Sequence, residues 1–225
     1  MAFPIIAAAI SGIVSVVSSI GPAVANFCTQ VLPKIVPVLQ KGIEFLKDIA
    51  NVATQVGQVF GIFNKDETAE NLGDRAIQAA EKNGTTLDQF DDFDDYLDAL
   101  RRFEFNPEQS EKIPLAQKIV AGLALAGRGL DEKLNTPEGT MGNLWPLVGA
   151  KPDYFTADKI TAYLKLGQDV MSVVDYFEGK LGAGEALEVE DKLIELDKSA
   201  APEKTDSAIL ADLCAAAAAV QSQVG

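Results

Sequence analysis

The amino-terminal segment constrains the fold most strongly, because no charged side chain occurs before Lys34. Residues 3–25 read FPIIAAAISGIVSVVSSIGPAVA. An apolar segment of this length avoids water by entering its own core, a membrane or a partner protein. Wound as a helix over residues 5–20, it has bulky Ile and Val side chains on one arc and a stripe of small residues that predicts close helix contact. The stripe comprises Ala7, Ala8, Ser11, Gly12, Ser15, Ser18 and Ser19.

The sequence leaves the environment of this helix open. Ala23-Val24-Ala25 is typical of an export-signal cleavage site, but the basic segment of such a signal is missing, so no cleaved signal is predicted. A membrane span needs about 20 apolar residues, and residues 5–20 are shorter than that before the Gly21-Pro22 break. A buried core helix and a helix that inserts into a membrane or a partner both fit the pattern.

Helical periodicity with clear stop signals continues along the chain, and strand signals are nearly missing. Residues 131–155 are rich in Gly, Pro and Asn, contain the only tryptophan and are predicted to be an ordered loop. The predicted fold is an all-α, multi-helix bundle of about eight helices with an apolar N-terminal helical hairpin. The helices after the first cover residues 23–32, 38–63, 68–82, 87–105, 114–130, 157–178, 185–198 and a last segment from about 205.

The predicted organisation has four parts, with one compact domain overall as the alternative. Residues 1–63 form an apolar and amphipathic N-terminal helical region, and residues 64–130 form an acidic helical region. The loop at 131–155 is the expected internal boundary, and residues 156–225 form a C-terminal helical region.

Composition excludes several classes of function. Histidine is absent, which excludes histidine bases, Ser-His-Asp and Cys-His nucleophiles, and histidine-containing metal sites. Cys28 and Cys214 are too few and too far apart for a zinc cluster or a CxxC motif. Two buried, reduced thiols are expected, with one disulfide as the alternative.

Charge separates the chain into two parts. The 33 acidic and 19 basic side chains give a net charge of −14, which disfavours long-range attraction to nucleic acid and to the anionic headgroup layer of a membrane. Residues 1–63 contain three lysines against Glu44 and Asp48, a charge of +1 that leaves −15 for residues 64–225. A nearly neutral apolar part is therefore expected beside an acidic, soluble part.

The densest charge cluster, residues 87–103, reads LDQFDDFDDYLDALRRF. A calcium loop starting at Asp92 needs glycine at its sixth position and an acid at its twelfth, where the sequence has Leu97 and Phe103. Apolar residues recur there at helical spacing, so a helix with a solvated acidic face is predicted. The glycine-rich segments 122–130 and 179–185 lack phosphate-loop residues and indicate helix packing or termination. No metal, cofactor or catalytic residue is predicted.

The helices at 5–20, 23–32 and 38–63 form an apolar series. Their layout is similar in a general way to helical membrane-inserting toxins and to helical proteins of phage or secretion assemblies. This resemblance identifies no family and transfers no functional residue. The prediction is a non-enzymatic protein, soluble when made, whose N-terminal helices insert into or associate with a membrane, with a pore-forming effector as one form. The alternatives are a structural or cargo component of a phage-like or secretion assembly, and a carboxylate-based hydrolase.

The expected partner is a membrane, or a protein bound through residues 1–63, and oligomerisation is a further expectation. The protein is expected to be made in the cytoplasm without a cleaved signal, with secretion by a specialised route or membrane association as alternatives. Acidification is expected to raise binding to anionic vesicles, because protonation removes negative charge. The residues predicted to pack against the membrane or partner are Ile6, Ala7, Ile10, Ser11, Gly12, Ser15, Val17, Ser19, Leu39, Ile43, Leu46 and Phe60.

Overall fold

The computed structural model describes residues 3–166 and 170–224. It is 75% helix, and its described residues contain thirteen α-helices and no strand, so the predicted all-α class is confirmed. The first seven helices are α1 (Phe3–Ser18), α2 (Pro22–Gln30), α3 (Leu32–Lys41), α4 (Ile43–Val59), α5 (Ala69–Asn83), α6 (Phe93–Arg102) and α7 (Pro107–Ser110). The other six are α8 (Leu115–Lys133), α9 (Trp145–Ala150), α10 (Ala157–Leu164), α11 (Val170–Phe177), α12 (Ala183–Ala200) and α13 (Asp206–Val224).

The helices outnumber the predicted eight because segments expected to be continuous are interrupted and because the short helices α7 and α9 form outside the predicted helices. In the amino-terminal region the interruption is at Gly42, which ends α3 with a φ of +132° that other residues disfavour. Pro33 and Pro37, which lie between the helices predicted at 23–32 and 38–63, are inside α3. Pro33 occupies the first turn, where its missing N–H has no partner to lose.

The aspartate-rich segment is also shorter as a helix than predicted. Residues Leu87–Gln89 form a separate 3-10 turn, and α6 begins only at Phe93. The reason is local, because Asp92 Oδ1 accepts a hydrogen bond from the Asp94 N–H at 2.6 Å and so caps the helix there. The segment predicted at 157–178 divides into α10 and α11, and residues 167–169 between them lie outside the described part.

Helix α8 is the central helix of the bundle. Its residues from Ile119 to Gly127 are all buried, and it contacts α1, α2, α4 and α5. Gly73 of α5 faces α8, and Gly122 of α8 faces α5, so the two backbones touch where these helices cross. A Cβ atom at position 122 would lie 1.7 Å from the Ala69 carbonyl oxygen, and one at position 73 would lie 2.0 Å from the Lys118 carbonyl oxygen. Only glycine fits at either position.

Helices α1 to α3, residues 3–41, are called the N-terminal layer below. In this layer α1 and α2 contact α8, whereas α3 contacts α4 and α9. Helix α4 packs against α5, α8, α9 and α10, so it belongs to the centre of the bundle. The buried apolar side chains of the layer are Ile13, Val17, Ile20, Val24, Phe27, Cys28, Val31, Leu32, Ile35 and Val38.

The segment predicted as a loop at 131–155 contains part of the core. Trp145 begins α9, is completely buried and donates a hydrogen bond from Nε1 to the Leu123 carbonyl oxygen at 3.0 Å. A 3-10 turn at Met141–Leu144 precedes it and packs on α8. The glycine and proline content therefore marks close packing here, where Gly149 and Gly142 lie against side chains of the N-terminal half.

Candidate functional site

The residues predicted to contact a membrane or partner are distributed between core and surface. Two of them, Val17 and Leu46, are completely buried. Those of intermediate exposure are Ile10, Gly12, Leu39 and Phe60, and the exposed ones are Ser11, Ser15, Ser19 and Ile43. The side chains of Ile6 and Ala7 lie outside the described part of the chain. Their contact with a membrane or partner stays a prediction.

Helix α1 attaches to the bundle through its aliphatic arc. Ile13, Val17 and Ile20 are buried, whereas Ser15 and Ser19 on the small-residue stripe are exposed. The serines of the stripe at positions 11, 15 and 19 therefore face outwards, whereas Ser18 forms a hydrogen bond with Cys28 and Gly12 lies near Gln117 of α8. Within the described residues, none of the helices combines the length and hydrophobicity of a membrane span.

The two cysteines are free thiols in different environments. Cys28 is buried, and this burial raises its pKa to about 11 although a hydrogen bond with Ser18 opposes the shift. Cys214 is exposed, so the expectation of two buried thiols is correct for Cys28 only. Across residues 3–166 and 170–224, no three cysteine, aspartate or glutamate side chains converge in a way that could hold a metal ion.

Lys34 joins the N-terminal layer to the carboxyl-terminal half. Its ammonium donates hydrogen bonds to Glu178 Oε1 at 2.7 Å and Asn143 Oδ1 at 3.1 Å. Lys180 contacts the other carboxylate oxygen of Glu178, whose side chain is 1% exposed. Burial raises the pKa of Glu178, but hydrogen bonds from Lys180 and Lys34 outweigh it and hold the pKa below the usual value. Glu178 is thus an ionised, buried carboxylate at neutral pH.

A second polar cluster lies beside the α5–α8 crossing. Lys118 Nζ is 2.8 Å from Asp74 Oδ2 and donates to Ser110 Oγ at 2.7 Å, while Ser110 Oγ donates to Asp74 Oδ2 at 2.5 Å. Gln78 Nε2 donates to Asp74 Oδ1 at 2.8 Å. The cluster therefore connects α5, α7 and α8.

Asp131 organises the turn that follows α8. Its carboxylate is 1% exposed and accepts hydrogen bonds from the N–H groups of Gly139 at 2.7 Å and Met141 at 2.8 Å. The Thr136 hydroxyl is 3.2 Å from the same carboxylate. Burial raises the pKa of Asp131 to about 6, although these three hydrogen bonds oppose the shift. The Asp131 carboxylate therefore holds the chain between α8 and α9 in place, and it titrates at about pH 6.

The stability of the protein is expected to rise as the pH falls from about 6 to about 4.5. Asp131 binds its proton more tightly in the folded state than in the unfolded state, where its pKa is about 3.9. A raised folded pKa gives stability that is complete below the unfolded value and is lost as the pH rises through about 6. The expected gain is about 1–3 kcal/mol in the free energy of unfolding, measured by urea denaturation between pH 7 and pH 4.5.

The control for this experiment is Asp131→Asn, which cannot titrate. Its free energy of unfolding should be lower than that of the wild type and should lack the rise between pH 6 and pH 4.5. Below that range Glu67 and Glu178 act in the opposite direction, because their folded pKa values are lowered and their stabilising ionised forms are lost. An equal rise in both proteins would show that Asp131 is not the titrating group.

A third polar region is a cleft of about 300 Å³ at the start of α10. It is called the lysine cleft below. Lys159 Nζ is 2.8 Å from Asp197 Oδ2 and 3.6 Å from the centre of the Tyr154 ring. Burial lowers the pKa of Lys159, and Asp197 opposes this shift. The cleft is lined by Lys151, Asp153, Tyr154, Thr156, Lys159, Lys204 and Asp212.

Sequence reasoning did not identify these polar clusters, because their members are far apart in the chain and follow no motif. Comparison with known proteins gives no match to a family model, a curated protein or a solved structure. The described part of the molecule is therefore characterised by its own geometry, an all-α bundle around α8 with several buried or partly buried ion pairs.

Proposed function

We propose that this is a non-enzymatic protein whose N-terminal layer separates from the bundle and associates with a membrane. The main observation behind this proposal is that the layer buries one continuous apolar face. The apolar helical hairpin of α1 and α2 would present Ile13, Val17 and Ile20 to lipid, with Ser15 and Ser19 towards water. A helix with one apolar and one polar face is suited to the membrane interface.

The connections of the layer support such a separation. Gly21 separates α1 from α2, and Gly42 separates the layer from α4. Both glycines have positive φ angles. Around Gly42 no atom would obstruct even an added Cβ within 4 Å, so the chain has room to change direction there. The layer carries Lys34 and Lys41 and no acidic residue up to position 41, which favours approach to an anionic surface.

The ion pair between Lys34 and Glu178 is the proposed pH-dependent latch. Because the pKa of Glu178 is lowered, its contribution to stability is complete above the usual glutamate value of 4.5 and is lost as the pH falls below that value. Release of the layer is thus expected at pH values below 4.5. Protonation of the other carboxyl groups in the same range reduces repulsion between the acidic bundle and anionic lipid.

The test is flotation of the full-length protein with anionic vesicles at pH 7.5, 5.5 and 3.5. Wild type should float only at pH 3.5, whereas Glu178→Gln should already float at pH 5.5, because the latch has lost its charge. The matched control is Glu104→Gln, which removes an ion pair with Lys82 in which the Glu104 side chain is 90% exposed, and it should behave like wild type. Failure of both wild type and Glu178→Gln to float at any pH would contradict membrane association.

The second candidate is docking of the same helices on a partner protein, as in a structural or cargo component of an assembly. It is favoured by the apolar side chains that stay exposed beside the Gly42 break, Ile43 at 37% and Phe45 at 40%. If Glu178→Gln exposes the layer without vesicle binding, shown by faster amide hydrogen exchange in α1 to α3, the partner-docking function becomes the better account.

A further inference from the structure

The lysine cleft brings three lysine and two aspartate side chains together, a lining charge of +1 on a protein whose net charge is −14. Lys151, Lys159 and Lys204 line it together. Two of these ammonium groups are paired, Lys159 with Asp197 at 2.8 Å and Lys204 with Asp212 at 3.0 Å. For Lys151, the described residues provide no carboxylate within ion-pair distance. Within the described part of the chain, Lys151 is therefore a cation of the cleft without an ion-pair partner.

The surroundings of Lys159 strengthen electrostatic attraction in the cleft. Its side chain is 20% exposed, and its ammonium lies over the Tyr154 ring. Tyr154 and Tyr163 are linked through their hydroxyl groups at 3.4 Å, and the Tyr154 hydroxyl donates to Asp197 at 3.2 Å. This buried network fixes Lys159 in position. A partly desolvated ammonium attracts an anion more strongly than one in bulk water does.

The donors in the cleft select among anions. No arginine is among its lining residues, so the planar, bidentate pairing that suits carboxylates is missing. Lysine ammonium groups act as point charges that suit the tetrahedral oxygens of phosphate. The Thr156 hydroxyl adds a further polar group, and Asp153 and Asp212 at the same cleft disfavour a ligand with negative charge over its whole surface. The volume of about 300 Å³ admits a small molecule.

We propose that the lysine cleft binds a small molecule through a phosphate monoester group, with Lys151 as the cation that the ligand neutralises. Lys159 and Lys204 complete the positive side of the site. The rest of the ligand lies towards Thr156 and Asp153. This binding function is separate from the proposed role of the N-terminal layer and does not depend on it.

The proposal is tested by titrating the full-length protein with glycerol 3-phosphate at constant ionic strength, using calorimetry and thermal unfolding. Saturable binding with a rise in melting temperature is expected. Lys151→Met should weaken the affinity by about tenfold or more, the loss of one hydrogen bond to a charged group, with an unchanged melting temperature in the absence of ligand. The matched control is Lys112→Met, an exposed lysine outside the cleft, which should bind like wild type.

Two further arms identify the source of the phosphate. Vesicles containing phosphatidic acid present the same monoester on a lipid, and binding to them that is lost in Lys151→Met, without binding of glycerol 3-phosphate, would assign the site to a lipid headgroup. Sulfate at equal ionic strength tests for unspecific anion binding. The proposal is overturned if neither phosphate source binds, if sulfate binds equally well, or if Lys151→Met and Lys112→Met lose affinity equally.

Discussion

Replacement of Gly122 by alanine is expected to lower the free energy of unfolding by about 3 kcal/mol or more, at the upper end of overpacking effects. The added Cβ would lie 1.7 Å from the Ala69 carbonyl oxygen and 2.9 Å from Ala69 Cα. Both obstructing atoms are backbone atoms of α5, so no side-chain rotation relieves the overlap. Helices α5 and α8 would have to move apart, which would disturb the packing of Leu72 and Leu123 in the core. Urea denaturation measures the change.

The matched control for Gly122→Ala is Gly184→Ala, in the first turn of α12. At position 184 no atom lies within 4 Å of an added Cβ, and alanine favours the helix over glycine by up to about 1 kcal/mol. This variant should therefore be as stable as wild type or slightly more stable. If Gly122→Ala unfolds at the same urea concentration as Gly184→Ala, the backbone contact between α5 and α8 does not exist in solution.

Replacement of Lys118 by methionine is expected to cost about 3–5 kcal/mol, because it leaves a buried carboxylate without its cation. The Asp74 side chain is 5% exposed and the Lys118 side chain 12%, with 2.8 Å between Nζ and Oδ2. Methionine keeps most of the side-chain volume, so the loss reports the charge. Ser110 and Gln78 would still hydrogen-bond to Asp74 but would not neutralise it. Thermal and urea denaturation at pH 7 give the magnitude.

Two variants separate this charge effect from a general effect of removing lysine. Lys82→Met breaks the pair with Glu104, whose members are 56% and 90% exposed, and it should cost less than about 1 kcal/mol. The double variant with Lys118→Met and Asp74→Leu removes both charges and should recover part of the lost stability. A double variant less stable than Lys118→Met alone would mean that the hydrogen bonds of Asp74 outweigh its unpaired charge.

Local signals in the sequence were sufficient for the fold class and for several helix ends. The helix predicted at 68–82 corresponds to α5, where the Thr68 hydroxyl accepts a hydrogen bond from the Asn71 N–H and Gly84 ends the helix with a φ of +64°. Thr156 likewise caps α10, which begins at residue 157 like the helix predicted at 157–178. Each of these features depends on residues within one helical turn, so the local sequence determines it without tertiary contacts. The same reasoning did not predict the break between α3 and α4 at Gly42, because a glycine can also continue a helix.

The tertiary structure decided which helix is central and where the polar clusters form. Sequence reasoning gave most weight to residues 5–20, yet α1 has an exposed face and α8 is the buried helix, because Gly73 and Gly122 let α5 approach it to backbone contact. The pairing of Lys34 with Glu178, and of Lys159 with Asp197, joins residues far apart in the chain. No spacing rule specifies such pairs, because burial in the folded protein is what makes each charge require its partner.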